Sequence, residues 1–539
     1  MRLLPKLQRR SAAALAFACA FAGAAKAEPL LTSHVPDAVS SHQAPFLGAP
    51  DPARELQLAV ALPMRDQAGL DALLRQIYDP GSPLYRHYLT VAQFAKRFCP
   101  TEADYDAAVR FFGNAGLRIS DISANRYIVD IAGSVADIER VFHVRMGLYR
   151  HPTQLRAFLA PDREPTLDLA VPVLHVSGLD EFILPTSRAI HDTAPGAHGG
   201  TGSGPNGNFL GSDIRAAYYG NGPLTGAGQS LGLMELAAYN MADVTTYFAT
   251  YGPPLATPVN GISTDGTNVA CSKKCNDSEQ ALDIEYAISM APGLTQVQVY
   301  VGKTAESVLN RMASDNTSKQ LSTSWGWHED LATDDPLFKE MAAQGQTFLT
   351  ASGDYSTLRA SGQWPEEDAN LTAVGGTDLT TSGAGGPWAA ETGWAHSAGG
   401  PSVDKTISIE SYQLPFINSA NGGSATLRNV PDVAGDANGD NTICAQGRCD
   451  GGWGGTSFAS PIWAGFIALA NQRAAADGKP PVGFLNPMLY RLAGGVKYHS
   501  LLHDEKAGVS GKYHATKSYD LVTGLGSPTG KALIDVLAP

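Results

Sequence analysis

Between residues 45 and 185, apolar and polar positions repeat with two periods, one typical of strands and one typical of amphipathic helices. The predicted order is a strand within 53–67, helices over 67–78 and 101–116, a strand-turn-strand over 117–131, a helix over 134–142 and a final strand. Strands and helices that alternate in this way predict a compact α+β domain.

From residue 209 onward, the pattern changes to short apolar runs that alternate with helical runs. Runs of strand length lie at 231–236, 297–302, 321–326 and 348–354, and helical segments at 277–291 and 336–344. Continuously apolar strands are typical of a parallel sheet that is covered on both faces. We therefore expect a mostly parallel sheet with flanking helices, and catalytic groups at the carboxyl ends of its strands.

Residues 191–208 separate the two parts of the chain. This stretch contains six glycines, two prolines and no core-forming residue, a composition typical of a flexible linker. Proteolytic cleavage concentrates in exposed linkers between folded units. We expect the processing site here, between about residues 187 and 208; a passive tether is the alternative.

The first 27 residues predict an export signal. A positively charged start precedes an apolar, alanine-rich stretch over 11–25, and Ala25-Lys26-Ala27 fits a cleavage site before Glu28. The apolar run is short for a membrane span, although an uncleaved anchor is the alternative. The mature protein is expected to be secreted, to the medium or the periplasm, and free of the membrane.

Composition narrows the classes of function. The chain has 539 residues, a formal net charge of −13 and a pI of about 5.4, so the basic stripe that a nucleic-acid partner requires is missing. Charged residues make up 17%, and a low density of carboxylates limits the stability that is lost when pH falls.

The cysteines predict local disulfides. Cys271 and Cys275 are four residues apart, and Cys444 and Cys449 are five apart. In an oxidising compartment these pairs favour two disulfides in loops. A structural zinc site is the alternative, but no nearby histidines complete a tetrahedral set.

The string GGTSFASP, residues 454–461, carries the strongest local signal of chemistry. Its glycines allow a tight turn and a close approach of backbone, and Ser457 then begins an apolar helix. A serine in that place has an exposed hydroxyl and an unpaired backbone N–H that can face a developing oxyanion. A simple N-cap serine is the alternative.

Ser457 needs a base, which a subtilisin-type enzyme supplies as a histidine. The sequence contains no His-Gly-Thr-His segment and no upstream Asp-Ser/Thr-Gly strand end, so we expect a carboxylate instead. Residues 276–293 predict a helix capped by Asp277. Glu279 and Asp283 are four residues apart and therefore share one helix face. A solvated acidic face is the alternative.

Together these motifs resemble the sedolisin (serine-carboxyl peptidase) family, including its kumamolisin-like members. The matching pieces, in the family's order, are Glu279-x-x-x-Asp283, SWG (324–326), SGD (352–354), AVGGT (373–377), SAGGPS (397–402), PDVAGDA (431–437) and GGTSFASP. Residues 82–98 resemble the family's activation prodomain. The resemblance implies a subtilisin-like catalytic domain over 209–539 and a smaller ferredoxin-like α+β prodomain over 28–190, with its core at 45–185.

The resemblance also implies roles for individual residues. Ser457 would be the nucleophile and Glu279 the general base that takes its proton. Asp283 would hydrogen-bond Glu279 and set its orientation, and Asp354 would line the oxyanion hole as a neutral acid that donates its proton. Two further residues would extend the hydrogen-bond chain behind Glu279: Glu235 and Trp325.

The C-terminal region resembles the family's calcium loop, over 504–520. Asp504 and Asp520 would give carboxylate oxygens, and Glu505, Thr516 and Ser518 would give backbone carbonyls to one structural calcium ion. The family usually has glycines at the positions of Thr516 and Ser518 and an apolar residue at that of Glu505.

The implied function is that of a secreted, acid-active serine endopeptidase that processes itself from a zymogen. Its partners would be protein or peptide substrates and its own prodomain, which would act as inhibitor and chaperone of a monomer. Acid release would involve His191, His198 and acidic residues of the prodomain. The alternatives are a subtilisin-like neutral peptidase, a catalytically dead binding module and, within the enzyme reading, release of tripeptides.

Overall fold

The computed structural model of the protein describes residues 28–191, 200–271, 275–328, 331–359 and 364–538. The predicted export signal, residues 1–27, lies outside these ranges. Within them, none of the helices combines the length and the apolar character that crossing a membrane would require.

The N-terminal part of the chain, the predicted prodomain, folds around an antiparallel sheet. Its strands are β1 (Glu55–Ala61), β2 (Arg118–Ile122), β3 (Ile128–Ser134) and β4 (His175–Ser177), which lie in the order β2-β3-β1-β4. Its helices are α1 (Gln67–Ile77), α2 (Val91–Arg97), α3 (Glu102–Asn114) and α4 (Val135–Phe142). This arrangement is that of a ferredoxin-like α+β domain, as predicted.

The second part, the predicted catalytic domain, is built on an eight-stranded sheet. Its strands are β5 (Ser230–Glu235), β6 (Val259–Ser263), β7 (Gln296–Val301), β8 (Gln320–Thr323), β9 (Thr347–Ala351), β10 (Thr372–Thr381), β11 (Trp388–Gly393) and β12 (Val433–Asp436). The order is β6-β7-β5-β8-β9-β10-β11, with β12 also paired to β10. Every pairing is parallel except that of β10 with β11, which confirms the predicted sheet.

Helices cover both faces of this sheet. They are α5 (Gly211–Tyr218), α6 (Met241–Tyr251), α7 (Ser278–Met290), α8 (Ala305–Asp315), α9 (Leu331–Ala343), α10 (Thr456–Ala476), α11 (Asn486–Ala493) and α12 (Lys531–Leu537). One hydrophobic core includes α7 and α10, and a second includes α8 and α9. Helix α10 is apolar all round, which suits its burial between α7 and the sheet.

The prodomain shares the second core with the catalytic domain. Leu70, Ile77 and Phe94 of α1 and α2 belong to the same buried cluster as Leu337 and Phe338 of α9. A continuous apolar core across the boundary indicates firm docking, because separating the domains would expose these side chains to water.

The predicted linker is folded in the half that the structure describes. Ser203 Oγ donates a hydrogen bond to Asp213 Oδ1 at 2.6 Å, and Thr201 Oγ1 lies 2.7 Å from Thr381 Oγ1. The expectation of a flexible stretch over 191–208 does not hold for residues 200–208, because the loop's polar groups find partners on the catalytic domain. Residues 192–199 lie outside the described ranges.

Both predicted disulfides are confirmed. Sulfur atoms are bonded between Cys271 and Cys275 and between Cys444 and Cys449. Zinc binding by these thiols is therefore excluded in this state of the protein.

Candidate active site

Ser457 lies in the first turn of α10, which begins at Thr456 directly after Gly455. Gly455 has φ of 124°, where residues with a side chain are strained. A Cβ atom at this glycine would lie 2.4 Å from the carbonyl oxygen of Arg188 and 2.8 Å from Asp354 Oδ2. The glycine therefore lets a peptide carbonyl and a carboxyl group approach the helix start, where backbone N–H groups lack helical partners.

Glu279 occupies the first turn of α7 and is buried. Its Oε2 accepts hydrogen bonds from Ser187 Oγ at 2.5 Å and from the backbone N–H groups of Arg188 and Ala189 at 2.7 Å each. Ser457 lies close enough to lower the pKa of this carboxyl group, although Ser457 Oγ and Glu279 Oε1 have no hydrogen-bond partner among the described residues. Burial raises the pKa of Glu279, and these donors offset part of the rise.

Asp283 lies one turn further along α7, near the carboxyl groups of Glu279 and of a second buried acid, Glu235. The expected hydrogen bond between Asp283 and Glu279 is not formed, since Asp283 Oδ2 and Glu279 Oε1 have no hydrogen-bond partner among the described residues. Asp283 Oδ1 accepts a hydrogen bond from Ser324 Oγ at 2.6 Å, and its carboxyl group interacts with that of Glu235. Glu235 Oε2 accepts a hydrogen bond from Trp325 Nε1 at 2.8 Å. Burial raises the pKa of Glu235 to about 8 and that of Asp283 well above its usual range. Such neighbouring carboxyls titrate together and share protons.

Asp354 follows strand β9 on the other side of Ser457. Its Oδ1 accepts hydrogen bonds from the backbone N–H and the hydroxyl of Thr456 at 2.8 Å each. Its Oδ2 has no hydrogen-bond partner among the described residues, and this oxygen and the carbonyl oxygen of Arg188 both approach Gly455, within 2.8 and 2.4 Å of where its Cβ atom would be. Burial raises the pKa of Asp354 to about 7. A protonated Asp354 can therefore donate toward that carbonyl oxygen.

The connection from the prodomain runs straight through this site. Residues 186–191, here called the cleft segment, form two short strands. The first two residues pair antiparallel with Trp325–Gly326, and the last two pair antiparallel with Trp453–Gly454. Arg188 and Ala189 lie between these pairings, so the peptide bond that joins them crosses the cluster of catalytic candidates.

The Arg188 side chain fills a closed pocket. Its Nη2 donates a hydrogen bond to Glu366 Oε2 at 2.6 Å, and its Nη1 donates to the carbonyl oxygen of Ala351. The side chains of Arg188 and Glu366 are only 2% and 3% exposed. A Cβ atom on Gly326 would lie 2.6 Å from Nη2, and one on Gly353 would lie 3.4 Å from Nη1. Two glycines therefore form the walls of the pocket, and a carboxylate lies at its end.

The predicted site residues come together in space. The residues placed around the Arg188–Ala189 peptide and behind Glu279 are Ser457, Glu279, Asp283, Asp354, Glu235 and Trp325. Asp277 occupies the N-cap position of α7, as predicted, but its side chain makes no capping hydrogen bond. Its oxygens accept hydrogen bonds from the backbone N–H groups of Asn240 and Gln446 instead, at 3.1 and 3.0 Å, and so tie two loops to the start of the helix.

Some residues of the site were not predicted. Ser324 lies within the SWG motif, and its serine could have been recognised there as a partner for Asp283. Ser187, Arg188 and Glu366 fall in stretches without a motif, and they gain their positions only from the path of the folded chain.

The predicted calcium loop is compact and acidic. Asp504 Oδ1 accepts a hydrogen bond from the backbone N–H of Ser518 at 2.8 Å, and Asp520 Oδ2 accepts one from that of Thr516 at 2.9 Å. Glu505 is buried, and its Oε2 has no hydrogen-bond partner in the described part of the chain. Burial raises the pKa of Glu505 and of Asp520. Buried carboxylates with unused oxygens suit a hard cation.

Comparison with known proteins finds relatives of this chain. Residues 42–182 match the family model of the pro-kumamolisin activation domain. Kumamolisin of Bacillus sp. (strain MN-32) is 30% identical over 85% of this chain and 87% of its own length. Xanthomonalisin of Xanthomonas sp. (strain T-22) is 28% identical over 88% of this chain, which spans 64% of that relative's length.

The catalytic domain has a solved counterpart. The structure of Pseudomonas sedolisin, a serine-carboxyl proteinase complexed with two molecules of pseudo-iodotyrostatin, superposes with a TM-score of 0.53 at 26% identity and covers 60% of this chain and 96% of that one. These similarities extend over the activation domain and the catalytic domain alike, and the chain therefore belongs to the sedolisin family of serine-carboxyl peptidases.

Proposed function

We propose that this chain is the zymogen of a secreted, acid-active serine-carboxyl endopeptidase with a Ser457-Glu279-Asp283 triad. One observation carries the proposal: Glu279 and Asp354 meet at the two ends of a single peptide group, Arg188–Ala189, beside Ser457. Glu279 faces the amide nitrogens and the serine hydroxyl, whereas Asp354 faces the carbonyl oxygen. These are the positions that a general base and an oxyanion donor require.

The chemistry follows from these positions. Ser457 Oγ attacks the carbonyl carbon while Glu279 takes its proton. Asp354 and the backbone N–H of Ser457 hydrogen-bond the oxyanion. Glu279 then gives its proton to the departing nitrogen, the C–N bond breaks, and an ester to Ser457 remains. Water hydrolyses the ester: Glu279 takes the proton of the water and returns it to Ser457.

Three further residues lie behind Glu279 and do not touch the reacting atoms in this scheme. Asp283 is a positioning residue, and Glu235 and Trp325 support Asp283.

Acid pH suits both carboxyl groups. Asp354 donates only while it is protonated, and that state exists below its pKa of about 7 in the closed precursor. Glu279 accepts a proton best where the pH is close to its own pKa. We expect activity to be highest below about pH 5.5 in the mature enzyme, where water reaches these groups and the pKa values approach their ordinary range.

The cleft segment favours endopeptidase action. The chain enters the cleft from the prodomain, passes the serine and leaves on the other side, so the cleft accepts a polypeptide that continues in both directions. Release of tripeptides would need a closed end on the side of Thr186. The same segment blocks the cleft, which supports a role for the prodomain as an intramolecular inhibitor of a monomeric enzyme.

A structural calcium ion is part of the proposal. Asp504 and Asp520 would provide carboxylate oxygens, and the carbonyls of Glu505, Thr516 and Ser518 would complete the site, as the sequence implied. Lys506 Nζ lies 3.5 Å from Asp504 Oδ2 and is exposed, so it can move away when an ion binds. The ion would supply positive charge that joins the two ends of the loop and would take no part in the reaction.

The triad proposal can be tested on the full-length precursor. Ser457→Ala should remain unprocessed for hours at about pH 4 and should not hydrolyse denatured protein, because the nucleophile is absent. Ser460→Ala is the matched control, since this buried serine lies in the same helix and its Oγ contacts Ser322 Oγ at 2.8 Å. Gel electrophoresis and mass spectrometry provide the readout. Processing by Ser457→Ala, or an optimum near pH 8, would contradict the proposal.

A further inference from the structure

The two strand pairings fix the register of the cleft segment on the cleft. Thr186 lies opposite Gly326 on one side of the site, and Ile190 lies opposite Gly454 on the other. On both sides of the site, the cleft segment is held by strand pairing through backbone hydrogen bonds. Because such pairing does not depend on side chains, a substrate of different sequence can take the same register. Only the residue at position 188 directs its side chain into the closed pocket and its carbonyl toward Asp354.

The pocket matches arginine in particular. One guanidinium nitrogen donates to the Glu366 carboxylate and another donates to the Ala351 carbonyl. The planar group passes close to Gly326 and Gly353, where any side chain would collide with it or crowd it. A lysine ammonium is a point charge and lacks the planar fork that reaches two acceptors at once. A neutral side chain would remove the positive charge that favours the ionised form of Glu366, and it would lose the charge-assisted hydrogen bonds of the guanidinium group.

We propose that this enzyme cuts peptide bonds on the carboxyl side of arginine, that Glu366 selects the arginine, and that Arg188–Ala189 is the first bond it cuts. This inference rests on the proposed function and adds the substrate class. The products of the first cut are a carboxylate on Arg188 and an amine on Ala189, with one water consumed. The processing bond then lies just before the predicted linker of 191–208.

Burial raises the pKa of Glu366, and the charge of Arg188 opposes that rise. A positively charged ligand therefore favours the ionised carboxyl group with which it pairs. Once the cleft segment has left, a substrate arginine restores this positive charge beside Glu366, whereas a neutral side chain does not. The pocket is thus complementary to arginine in charge as well as in shape.

The first test follows the processing of the full-length precursor. At about pH 4, mass spectrometry at early times should find a prodomain fragment that ends at Arg188 and a catalytic chain that begins at Ala189. Arg188→Leu should slow this cut at least about 10-fold, because the charge-assisted hydrogen bonds are lost. Arg163→Gln is the control, since the ion pair of Arg163 with Asp162 is largely exposed. Complete processing with the 188–189 bond intact would overturn the proposal.

The second test uses processed enzyme and synthetic peptides of the sequence of residues 186–191. The peptides carry arginine, citrulline, lysine or leucine at the third position; citrulline keeps the shape of arginine and removes the charge. We expect kcat/KM for arginine to exceed that for citrulline about 100-fold. Glu366→Gln, activated by a trace of wild-type enzyme that is then removed, should reduce this ratio to below about 5-fold. Glu366→Asp should retain part of the preference.

The outcomes separate the two proposals. Equal rates on arginine and citrulline peptides would overturn the proposed specificity but would not contradict the proposed peptidase function. An unchanged preference in Glu366→Gln would overturn the role of Glu366. Hydrolysis of the citrulline peptide by Glu366→Gln at the wild-type rate would show that the variant is folded and that the lost preference is specific. Failure of wild-type enzyme on every peptide and on denatured protein would instead contradict the proposed function.

Discussion

The two carboxyl groups that face the Arg188–Ala189 peptide have opposite tasks, and their surroundings differ accordingly. Glu279 Oε2 accepts three hydrogen bonds, which stabilise the ionised form that a base needs. Asp354 receives donors only at Oδ1, while its other oxygen remains unpartnered among the described residues. Burial without a partner favours the neutral acid, and a neutral acid can donate.

This difference predicts the behaviour of variants at position 354. Asp354→Ala should lower kcat by about 10²- to 10³-fold, since an oxyanion donor is lost. Asp354→Asn should retain more activity than Asp354→Ala, because the amide NH₂ can still donate and does so at every pH. In the wild type the donor proton is present below the pKa of Asp354 and is lost as pH rises through it.

Profiles of kcat against pH for enzyme activated in trans provide the measurement. The profile of Asp354→Asn should lack the decline at high pH that the titration of Asp354 causes. Equal loss in the two variants would show that Asp354 acts through something other than a donated hydrogen.

At the scale of elements, helix α7 and the loop between Asp504 and Asp520 place the most important acidic groups. Helix α7 puts Glu279 and Asp283 on one face by its period alone. The loop, in contrast, brings residues together that are far apart in sequence. The carboxyl groups of Asp504 and Asp520 accept hydrogen bonds from backbone N–H groups within the loop. An ion that binds both ends would stabilise the native chain without stabilising the unfolded one.

We therefore expect a chelator to lower the melting temperature of the processed enzyme. At calcium concentrations about 100-fold above the dissociation constant, the contribution to stability is about 2.7 kcal/mol. Asp504→Asn should melt at a lower temperature than the wild type and should no longer respond to the chelator. Differential scanning calorimetry with and without calcium provides the test. Identical melting curves for wild-type protein in calcium and in chelator would exclude the ion.

The sequence was informative where local spacing determines the outcome. The strands of the parallel sheet, the helix that bears Glu279 and the turn at Ser457 all have short-range signals, and these were predicted. The side chain of Asp277 does not cap α7, and the cause is clear. An acidic side chain before a helix can bond either the helix or neighbouring loops, and here the folded chain brings the backbone N–H groups of Asn240 and Gln446 within reach. Arg188 and Glu366 are 178 positions apart, so no local pattern could relate them.

At the scale of the whole molecule, docking of the prodomain has groups that respond to pH in opposite directions. Asp130 and Glu340 are buried at the domain boundary, against Ser307 and Asn125 respectively. Burial raises the pKa of Asp130 well above its usual range and that of Glu340 to about 8. At high pH these two carboxyl groups ionise, and a buried negative charge destabilises the docked state. Acidification protonates them and therefore favours docking. These carboxyls therefore do not explain release in acid.

His175 acts in the other direction. This residue of β4 stacks on His34 at 4.5 Å between ring centroids, and its Nδ1 lies 2.7 Å from Thr32 Oγ1. Burial, with His328 of the catalytic domain, lowers the pKa of His175 to about 4. The docked state favours neutral His175. Its contribution to docking is therefore fully present above the ordinary histidine pKa of about 6.5, and it is lost as pH falls toward 4.

We therefore predict that His175→Gln shifts the release of the cleaved prodomain to lower pH, because glutamine remains neutral throughout. Size-exclusion chromatography of processed protein between about pH 3.5 and 7 gives the midpoint of release. His143→Gln is the control, since this prodomain histidine is exposed, at 40% of its side chain. An unchanged midpoint in His175→Gln would rule the residue out. Of the histidines that the sequence had suggested, His191 stacks on Trp453 and His198 lies outside the described residues.

The cleft segment and the pocket that holds it are encoded by one gene, and this constrains how such an enzyme can diverge. Since Arg188 pairs with Glu366 in the pocket, the proposal predicts that a mutation that reshapes the pocket without a matching change at position 188 slows or prevents maturation of the precursor. Natural variation at the two places should therefore be correlated. The substrate specificity of a related enzyme could then be inferred from the residues of its own cleft segment, before any assay is done.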